Sequence, residues 1–141
     1  MDLIAASRYM TIATADAHGT PWATPVWFAP SGDDHLLWVS DPGARHSQNI
    51  ALRAQVAIVV FDSEVAPGDA QGLYMQATAE ELTGEALEDG IAAFARKSRC
   101  QGLAAWTLED VTAPAKHRLY RATIAERWTL GPGDRRIPMG V

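Results

Sequence analysis

The sequence predicts a mostly β protein: an antiparallel β-barrel or sandwich with flanking helices. Three observations indicate this class. Strand-like runs alternate with turn signals at close spacing over the first two-thirds of the chain. Apolar residues make up 48% of the sequence and charged residues 21%, as in globular proteins. The length of 141 residues suits one ordinary domain, so we expect a single domain over residues 1–141.

The predicted strands are apolar or alternating runs bounded by turn signals. They are residues 9–14, 20–29, 35–40, 56–61, 72–82 and 117–130. The segments between the first strands, residues 16–19 and 30–34, contain the Asp and Gly that are typical of turns. We expect residues 62–70 to form a surface loop, and the tail from about residue 131 to be irregular.

The second strand carries two prolines on one face. Its other face is formed by Trp22, Thr24, Val26 and Phe28. Proline cannot donate to a sheet ladder, so Pro21 and Pro25 indicate an edge strand, a bulged strand, or backbone left open to a ligand. Residues 56–61 are continuously apolar and rich in β-branched side chains, which predicts the most buried strand of the sheet.

Three helices are predicted, at residues 2–7, 44–54 and 85–99. In the second, Ile50 faces inward, with Leu52 as a further candidate. In the third, one apolar stripe is formed by Leu87, Ile91, Phe94 and Ala95, so this helix should pack on the barrel. Residues 100–115 show no clear element beyond a helical turn at 106–110.

The charge and cysteine content exclude several classes of protein. A net charge of −5 argues against nucleic-acid binding, which depends on clustered Lys and Arg. The single Cys100 cannot form an intrachain disulfide, and no Cys/His cluster has zinc-ligand spacing, so we expect a cytoplasmic protein. No signal-peptide core or membrane-length apolar run is present, so no membrane partner is expected.

One arginine stands out against an acidic background. Between Tyr9 and Ala95 the chain has twelve acidic side chains and two basic ones, and one of the two is Arg45. Arg45 lies where a strand-like run leads into a helix-like one. Backbone N–H groups at a helix N-terminus bind phosphate, and the guanidinium of arginine matches the geometry of phosphate. The competing interpretation is an exposed, solvated arginine. Ser40, Ser47 and Asn49 supply hydrogen-bonding groups nearby, which favours an anion site.

No common catalytic motif is present, so the catalytic residues are unknown. The histidines are scattered over separate segments and predict no metal site. Of these, His46 lies beside Arg45 and could donate to the same anion. The five tryptophans are mostly expected in the core or at an interface, although Trp27 or Trp128 could lie against a flat aromatic ligand.

Taken in order, residues 9–14, 18–28, 37–40, 43–46, 49–50 and 56–60 resemble the pyridoxamine 5′-phosphate oxidase-like family of flavin-binding split barrels, and the similarity runs from Tyr9 to about Gly84. Residues 119–121 resemble the family's last barrel strand. The resemblance implies a six-stranded antiparallel split barrel that forms a homodimer, with FMN in the groove between the two subunits.

The resemblance also implies a set of cofactor-binding residues. Along the isoalloxazine ring, largely through backbone groups, it places Thr24, Pro25, Val26 and Trp27. Near the ribityl chain and the phosphate it places Val39, Ser40, Arg45 and His46, with Arg45 and His46 holding the phosphate. Asn49 matches a polar position that recurs in the family's helix. Trp128 matches an aromatic residue that reaches the flavin from the last strand.

Two positions depart from the family pattern. Ala44 stands where the family often has Ser or Thr, and His46 stands where it often has Lys or Arg. No counterpart is present for the Arg-x-His pair with which the true oxidases hold the vitamin phosphate, so we do not expect pyridoxine phosphate oxidation.

The leading hypothesis is an FMN-dependent oxidoreductase acting on a small organic substrate, with the flavin as hydride carrier. A second is a deazaflavin-dependent reductase. A third is a non-catalytic flavin- or haem-binding protein, with His46 or His117 as the iron ligand. A barrel that has lost its cofactor is the fourth.

Overall fold

The computed structural model describes residues 2–140, and the bounds of its elements follow from local sequence. The helices are α1 (Leu3–Ala6), α2 (Arg45–Leu52) and α3 (Gly84–Cys100). The strands are β1 (Tyr9–Ala15), β2 (Pro21–Trp27), β3 (Ala29–Ser31), β4 (His35–Ser40), β5 (Gln55–Phe61), β6 (Gly72–Glu81), β7 (Arg118–Leu130) and β8 (Arg136–Pro138). Short 3-10 turns lie at Pro67–Asp69, Glu109–Val111 and Pro132–Asp134.

All the strands belong to one curled antiparallel sheet. Neighbouring strands follow the order β2-β1-β5-β6-β7-β4-β3, and β8 pairs with β7. The fold class is therefore confirmed: a mostly β, antiparallel half-barrel with flanking helices. The six predicted strands correspond to the six longer strands observed within residues 2–140.

The two short strands correct the prediction. Residues 30–34 were expected to form only a turn, yet β3 begins before them and pairs Ala29 with Leu37 and Pro30 with Leu36. Strand β3 is an edge strand, with a ladder partner on one side only. A proline is tolerated there because the N–H that it lacks would have no partner on the unpaired side. The tail was expected to be irregular, but β8 turns back and pairs Ile137 with Thr129.

Strand β2 lies at the other end of the strand order. It pairs with β1, with Pro25 opposite Thr11, so its second edge has no ladder partner among the described strands. The edge-strand interpretation of Pro21 and Pro25 is confirmed. Some backbone groups of β2 are therefore free to contact something other than the sheet.

The core has two parts, one inside the half-barrel and one between the sheet and α3. Inside the half-barrel the cluster includes Met10, Ile12, Phe28, Trp38, Ile58, Val60, Met75 and Tyr120. Between α3 and the sheet the cluster includes Leu37, Leu82, Leu87, Ile91, Phe94 and Leu119, so the predicted stripe of α3 is confirmed. A Cβ atom at Gly90 would come within 2.9 Å of Leu82 and 3.0 Å of Leu119, so the helix backbone approaches the sheet closely there.

Two burial predictions are wrong. Strand β5 is buried only on alternate residues, and Phe61 at its end is 54% exposed. Its continuous apolar run instead gives the sheet a second, outward apolar face. Leu52 is 70% exposed, because it lies two residues, or about 200° around the helix, from the buried Ile50.

Lys97 on α3 joins three distant segments. Its ammonium donates to the carbonyl of Ser7 at 3.2 Å and to the carbonyl of Phe28, and it lies 4.1 Å from the centroid of the Phe28 ring. Burial lowers the pKa of Lys97 to about 8.

We predict that Lys97→Met changes how stability depends on pH. Below about pH 8 the folded and the unfolded chain both carry the ammonium, so the cost of burying the charge is fully present. Between about pH 8 and the ordinary pKa of 10.5 only the unfolded chain stays protonated, so the free energy of unfolding rises with pH through this window. Urea unfolding at about pH 7 and about pH 9.5 measures the rise, which the variant should lack.

The control for Lys97→Met is Arg96→Met, at an exposed neighbour on the same helix. It should follow the wild type at both pH values. An equal rise with pH in wild type and Lys97→Met would show that Lys97 does not titrate in this window.

Candidate functional site

A cavity of about 490 Å³ opens between β2, β4, α2 and the C-terminal half of α3. This is the size range of small-molecule sites. Its lining residues are Tyr9, Pro25, Val26, Trp27, Val39, Ser40, His46, Phe94, Ser98, Leu103, Trp106 and His117.

Six of the residues predicted to bind a cofactor meet in this cavity. They are Pro25, Val26, Trp27, Val39, Ser40 and His46. The edge position of β2 supplies the first three and the end of β4 the next two. Thr24 adjoins them, and its hydroxyl lies 3.4 Å from the carbonyl oxygen of Pro25. Their contact with a cofactor stays a prediction.

The junction between β4 and α2 brings His46 over Ser40. After Ser40 the chain reverses in a tight turn in which the Asp41 carboxylate accepts from the Gly43 N–H at 2.7 Å. Helix α2 then begins, and the Ser40 hydroxyl and the His46 Nε2 lie 2.7 Å apart. Burial lowers the pKa of His46, so its imidazole is neutral at neutral pH. His46 is therefore a polar group of this site rather than a permanent charge.

Arg45 is exposed and lies outside the cavity lining, at the first position of α2. Its guanidinium carbon stands 4.3 Å from the centroid of the Trp22 ring on β2, a cation–π contact. The preceding residue, Ala44, has no polar side-chain atom with which to cap the helix. The first N–H groups of α2 and the positive end of its dipole are thus available to an anion that Arg45 could also reach.

Asn49 lies one turn after Arg45 on α2, in the core. It is buried, and its side-chain N–H donates to the Thr14 hydroxyl at 3.0 Å. This hydrogen bond ties α2 to β1 and so fixes the helix that carries Arg45 and His46. In this chain the Asn49 amide is thereby engaged within the fold.

Trp128 does not line this cavity within one chain. It lies on the outer face of the sheet, paired with Tyr74 across β6 and β7. A second hollow, of about 460 Å³, is formed there by Thr11, Ala13, Ala57, Ile58, Val59, Tyr74, Met75, Gln76, Trp128 and Arg136. A single chain therefore does not bring Trp128 to the other predicted cofactor residues.

Comparison with known families decides which family this chain belongs to. The family model described as "Pyridoxamine 5′-phosphate oxidase" matches residues 1–131. This chain belongs to the pyridoxamine 5′-phosphate oxidase family. The resemblance drawn from the sequence is thus confirmed. No curated protein matches the chain in sequence.

Solved structures of low sequence identity share the fold of this family member. HutZ, the haem storage protein of Vibrio cholerae, is 20% identical over 88% of this chain and 86% of its own, with a TM-score of 0.70. A haem-binding protein from Mycobacterium smegmatis is 20% identical over 97% of this chain, with a TM-score of 0.73, and this chain spans 55% of its length. A proposed 5-nitroimidazole antibiotic resistance protein from Bacteroides thetaiotaomicron is 15% identical over 90% of this chain and 78% of its own, with a TM-score of 0.69. At these identities the likeness shows the fold alone.

Part of the cavity of this family member was not predicted from sequence. Phe94 was assigned to the core, and Ser98, Leu103 and Trp106 were given no site role. They reach the cavity because α3 and the segment after it fold back over β2 and β4. Residues 100–115 lack periodicity, so the sequence carried no signal for their position. His117 entered only as a candidate iron ligand, and it does line the cavity.

Across residues 2–140, no group of three or more His, Cys, Asp and Glu side chains is placed to hold a metal ion. No helix in that same range is long and apolar enough to cross a membrane.

We predict that Asn49→Ala destabilises the fold by about 1–3 kcal/mol, because it leaves the buried Thr14 hydroxyl without its donor and opens space beside it. Chemical denaturation measures the loss. Gln48→Ala, at the exposed neighbouring position of α2, is the control and should stay within about 0.5 kcal/mol of wild type. Equal effects of the two substitutions would contradict the structural role of Asn49.

Proposed function

We propose that this family member is a homodimeric FMN-dependent oxidoreductase that acts on a small organic substrate. The observation that carries the proposal is the N-terminus of α2. Its uncapped N–H groups, Arg45 and His46 lie beside the cavity formed by Val26, Val39 and Ser40. These residues fit the cofactor: donors and one permanent cation suit the phosphate, and the apolar lining suits the ring.

Each part of this site has a separate task in the proposal. Arg45 and the first N–H groups of α2 bind the phosphate, with Ser40 and His46 as neutral hydrogen-bonding groups. The open edge of β2 offers backbone groups to the polar rim of the ring. When bound, FMN would carry the hydride between donor and acceptor. The protein's contribution is to bind, orient and enclose.

The composition of the phosphate site favours FMN over a deazaflavin with a longer anionic tail. Arg45 is the permanent cation at this end of α2, because His46 is neutral at neutral pH. Two other basic residues nearby are engaged in hydrogen bonds: Arg53, just past the far end of α2, donates to the Ala17 carbonyl at 3.0 Å, and Arg118, opposite Ser40 on β7, donates to the Ala115 and His117 carbonyls at 2.6 and 2.7 Å. A longer anionic tail would find little further positive charge here.

The proposed homodimer would use the outer apolar face of the sheet. Exposed or half-buried on this face are Ala57, Val59, Phe61, Tyr74 and Trp128. Contiguous apolar surface of this kind is typical of an interface. Packing two copies through it would bring Trp128 of one subunit towards the other subunit, and in this proposal Trp128 reaches the partner's cofactor there.

A haem-binding function is the second candidate. His46 and His117 both line the same cavity, so an axial ligand is available there. Two of the structurally similar proteins are named for haem storage or haem binding. The phosphate-binding end of α2 has no evident use in this alternative.

Identification of the native ligand tests the proposal directly. Protein purified without added cofactor is denatured by heat, and the released small molecules are weighed by mass spectrometry. FMN is expected. Released haem would replace the proposal by the second candidate, and released deazaflavin would replace FMN by that cofactor. Protein that releases no ligand and fails to bind added FMN would refute the proposal.

We predict that Arg45→Ala weakens FMN binding by about tenfold to a hundredfold, the loss expected for a hydrogen bond to a charged group. Riboflavin, which lacks the phosphate, should bind almost equally to variant and wild type. Flavin fluorescence titration measures both dissociation constants. Arg53→Ala is the control, since it removes a basic side chain at the opposite end of α2. Equal loss of FMN and riboflavin would contradict phosphate binding by Arg45.

We predict that Ala57→Lys converts the dimer into a monomer, because it places a charge in the centre of the proposed interface. Sedimentation velocity measures the change, and circular dichroism checks the fold. Ala92→Lys is the control: it makes the same substitution at an exposed position of α3. A wild-type protein that is monomeric, or an Ala57→Lys variant that stays dimeric, would show that this face is not the interface.

A further inference from the structure

Four rings from distant parts of the chain form one side of the cavity, which we call the aromatic wall: Trp27, Phe94, Trp106 and His117. Trp27 meets Phe94 edge to face, with ring centroids 5.0 Å apart and planes at 82°. Phe94 meets Trp106 at 6.2 Å and 76°, and Trp106 meets His117 at 5.6 Å and 83°. These are favourable aromatic geometries, so the wall is a continuous packed surface.

The wall is held in place by groups on α3 and just after it. The indole N–H of Trp27 donates to the side-chain oxygen of Gln101 at 2.9 Å. The Lys97 ammonium lies 5.1 Å from the Trp27 ring centroid. Because its partners fix Trp27, the wall presents a ready-made apolar surface of alternating ring faces and edges and loses little rotamer freedom when a ligand binds.

The polarity of the cavity restricts what can bind against the wall. Within the described part of the chain, the lining residues include no carboxylate and no Lys or Arg. The Ser98 hydroxyl already donates a hydrogen bond within α3, to the Phe94 carbonyl at 3.1 Å. His117 is the remaining polar side chain of the wall. A ligand here would meet ring surfaces and one imidazole. The nearby Lys97 ammonium is engaged with the Ser7 and Phe28 carbonyls, so the wall supplies no charged partner for a charge on the ligand.

We propose that the aromatic wall is the substrate subsite, and that the substrate is an uncharged planar aromatic molecule whose polar substituent hydrogen-bonds to His117. The inference rests on the proposed function, since a flavin held at the N-terminus of α2 and along β2 reaches the wall at Trp27 and leaves Phe94, Trp106 and His117 for a second molecule. Trp106 is then a substrate-binding residue, and His117 orients the ring through its substituent.

A matched pair of probes tests the charge and shape of the ligand. 2-Naphthamide has a flat ring and a neutral hydrogen-bonding group, and 2-naphthoate has the same ring with a negative charge. Isothermal titration calorimetry measures both, in the protein as purified and after saturation with FMN. We expect 2-naphthamide to bind both forms and 2-naphthoate to bind at least tenfold more weakly. Equal or tighter binding of 2-naphthoate would overturn the proposed substrate class.

Substitutions in the wall test where the probe binds. Trp106→Leu should weaken 2-naphthamide about tenfold through loss of ring contact, and His117→Phe, which keeps a ring but removes the hydrogen bond, should weaken it several-fold. Neither should change the FMN dissociation constant. Leu108→Ala, an exposed position in the same segment as Trp106, is the control and should leave both affinities unchanged. Melting temperatures confirm that each variant is folded.

The outcomes separate this proposal from the proposed function. Unchanged 2-naphthamide binding in Trp106→Leu would overturn the subsite. Equal loss of FMN and 2-naphthamide in that variant would assign the wall to the flavin and overturn it as well. A protein that binds 2-naphthamide at the wall but never binds FMN would refute the flavin function and leave the aromatic subsite standing.

Discussion

The site of this protein depends on the pairing of β4 with β7. That antiparallel register sets Ser40 opposite Arg118, and therefore beside His117. The reversal after Ser40 starts α2, so the same pairing also places His46 and the N-terminus of the helix. A slip of one residue would turn every β4 side chain to the other face and remove Ser40 from its place beside His117. The cavity is thus a consequence of strand register more than of any local motif.

The second organising feature is that the sheet is apolar on both faces. The inner face makes the half-barrel core, and the outer face carries Ala57, Val59 and Tyr74. Edge strands are a liability in such a sheet, because unpaired N–H and C=O groups can recruit another chain. At β2 the two prolines reduce this risk, since each removes one donor from the edge. The remaining groups of that edge face the cavity side of the molecule, where a ligand is proposed to use them.

Local sequence predicted most of the fold because most elements are locally encoded. Alternation in residues 72–82 identified β6 as a strand, and the stripe through Leu87 and Phe94 identified the packing face of α3. The errors come from long-range effects. Whether Val59 and Phe61 are buried depends on what covers the outer face, and β8 exists only because β7 extends far enough to receive it. Neither fact can be read from the residues of a single strand.

The candidate site was predictable where it depends on the order of elements and not where it depends on packing. The sequence order of a β4-like run, a turn and a helix was enough to group Ser40 with His46. The position of Trp106 at the cavity could not be predicted, because Trp106 lies in a segment without periodicity and is positioned by contact with Phe94. The cofactor roles assigned by resemblance stay predictions, and that of Trp128 depends on a second subunit.

The hydrogen bonds of Lys97 also say something about the order of folding. They join residues separated by 90 and 69 positions in the chain. Contacts of such sequence separation carry a large loop-closure cost and are expected late on a folding pathway. Interactions absent from the transition state chiefly slow unfolding. Because β4 pairs with β7 over a similar separation, as between His35 and Thr123, the Lys97 contacts and the closure of the sheet would form together in one late step, and Lys97 would then slow the release of α3 from the cavity.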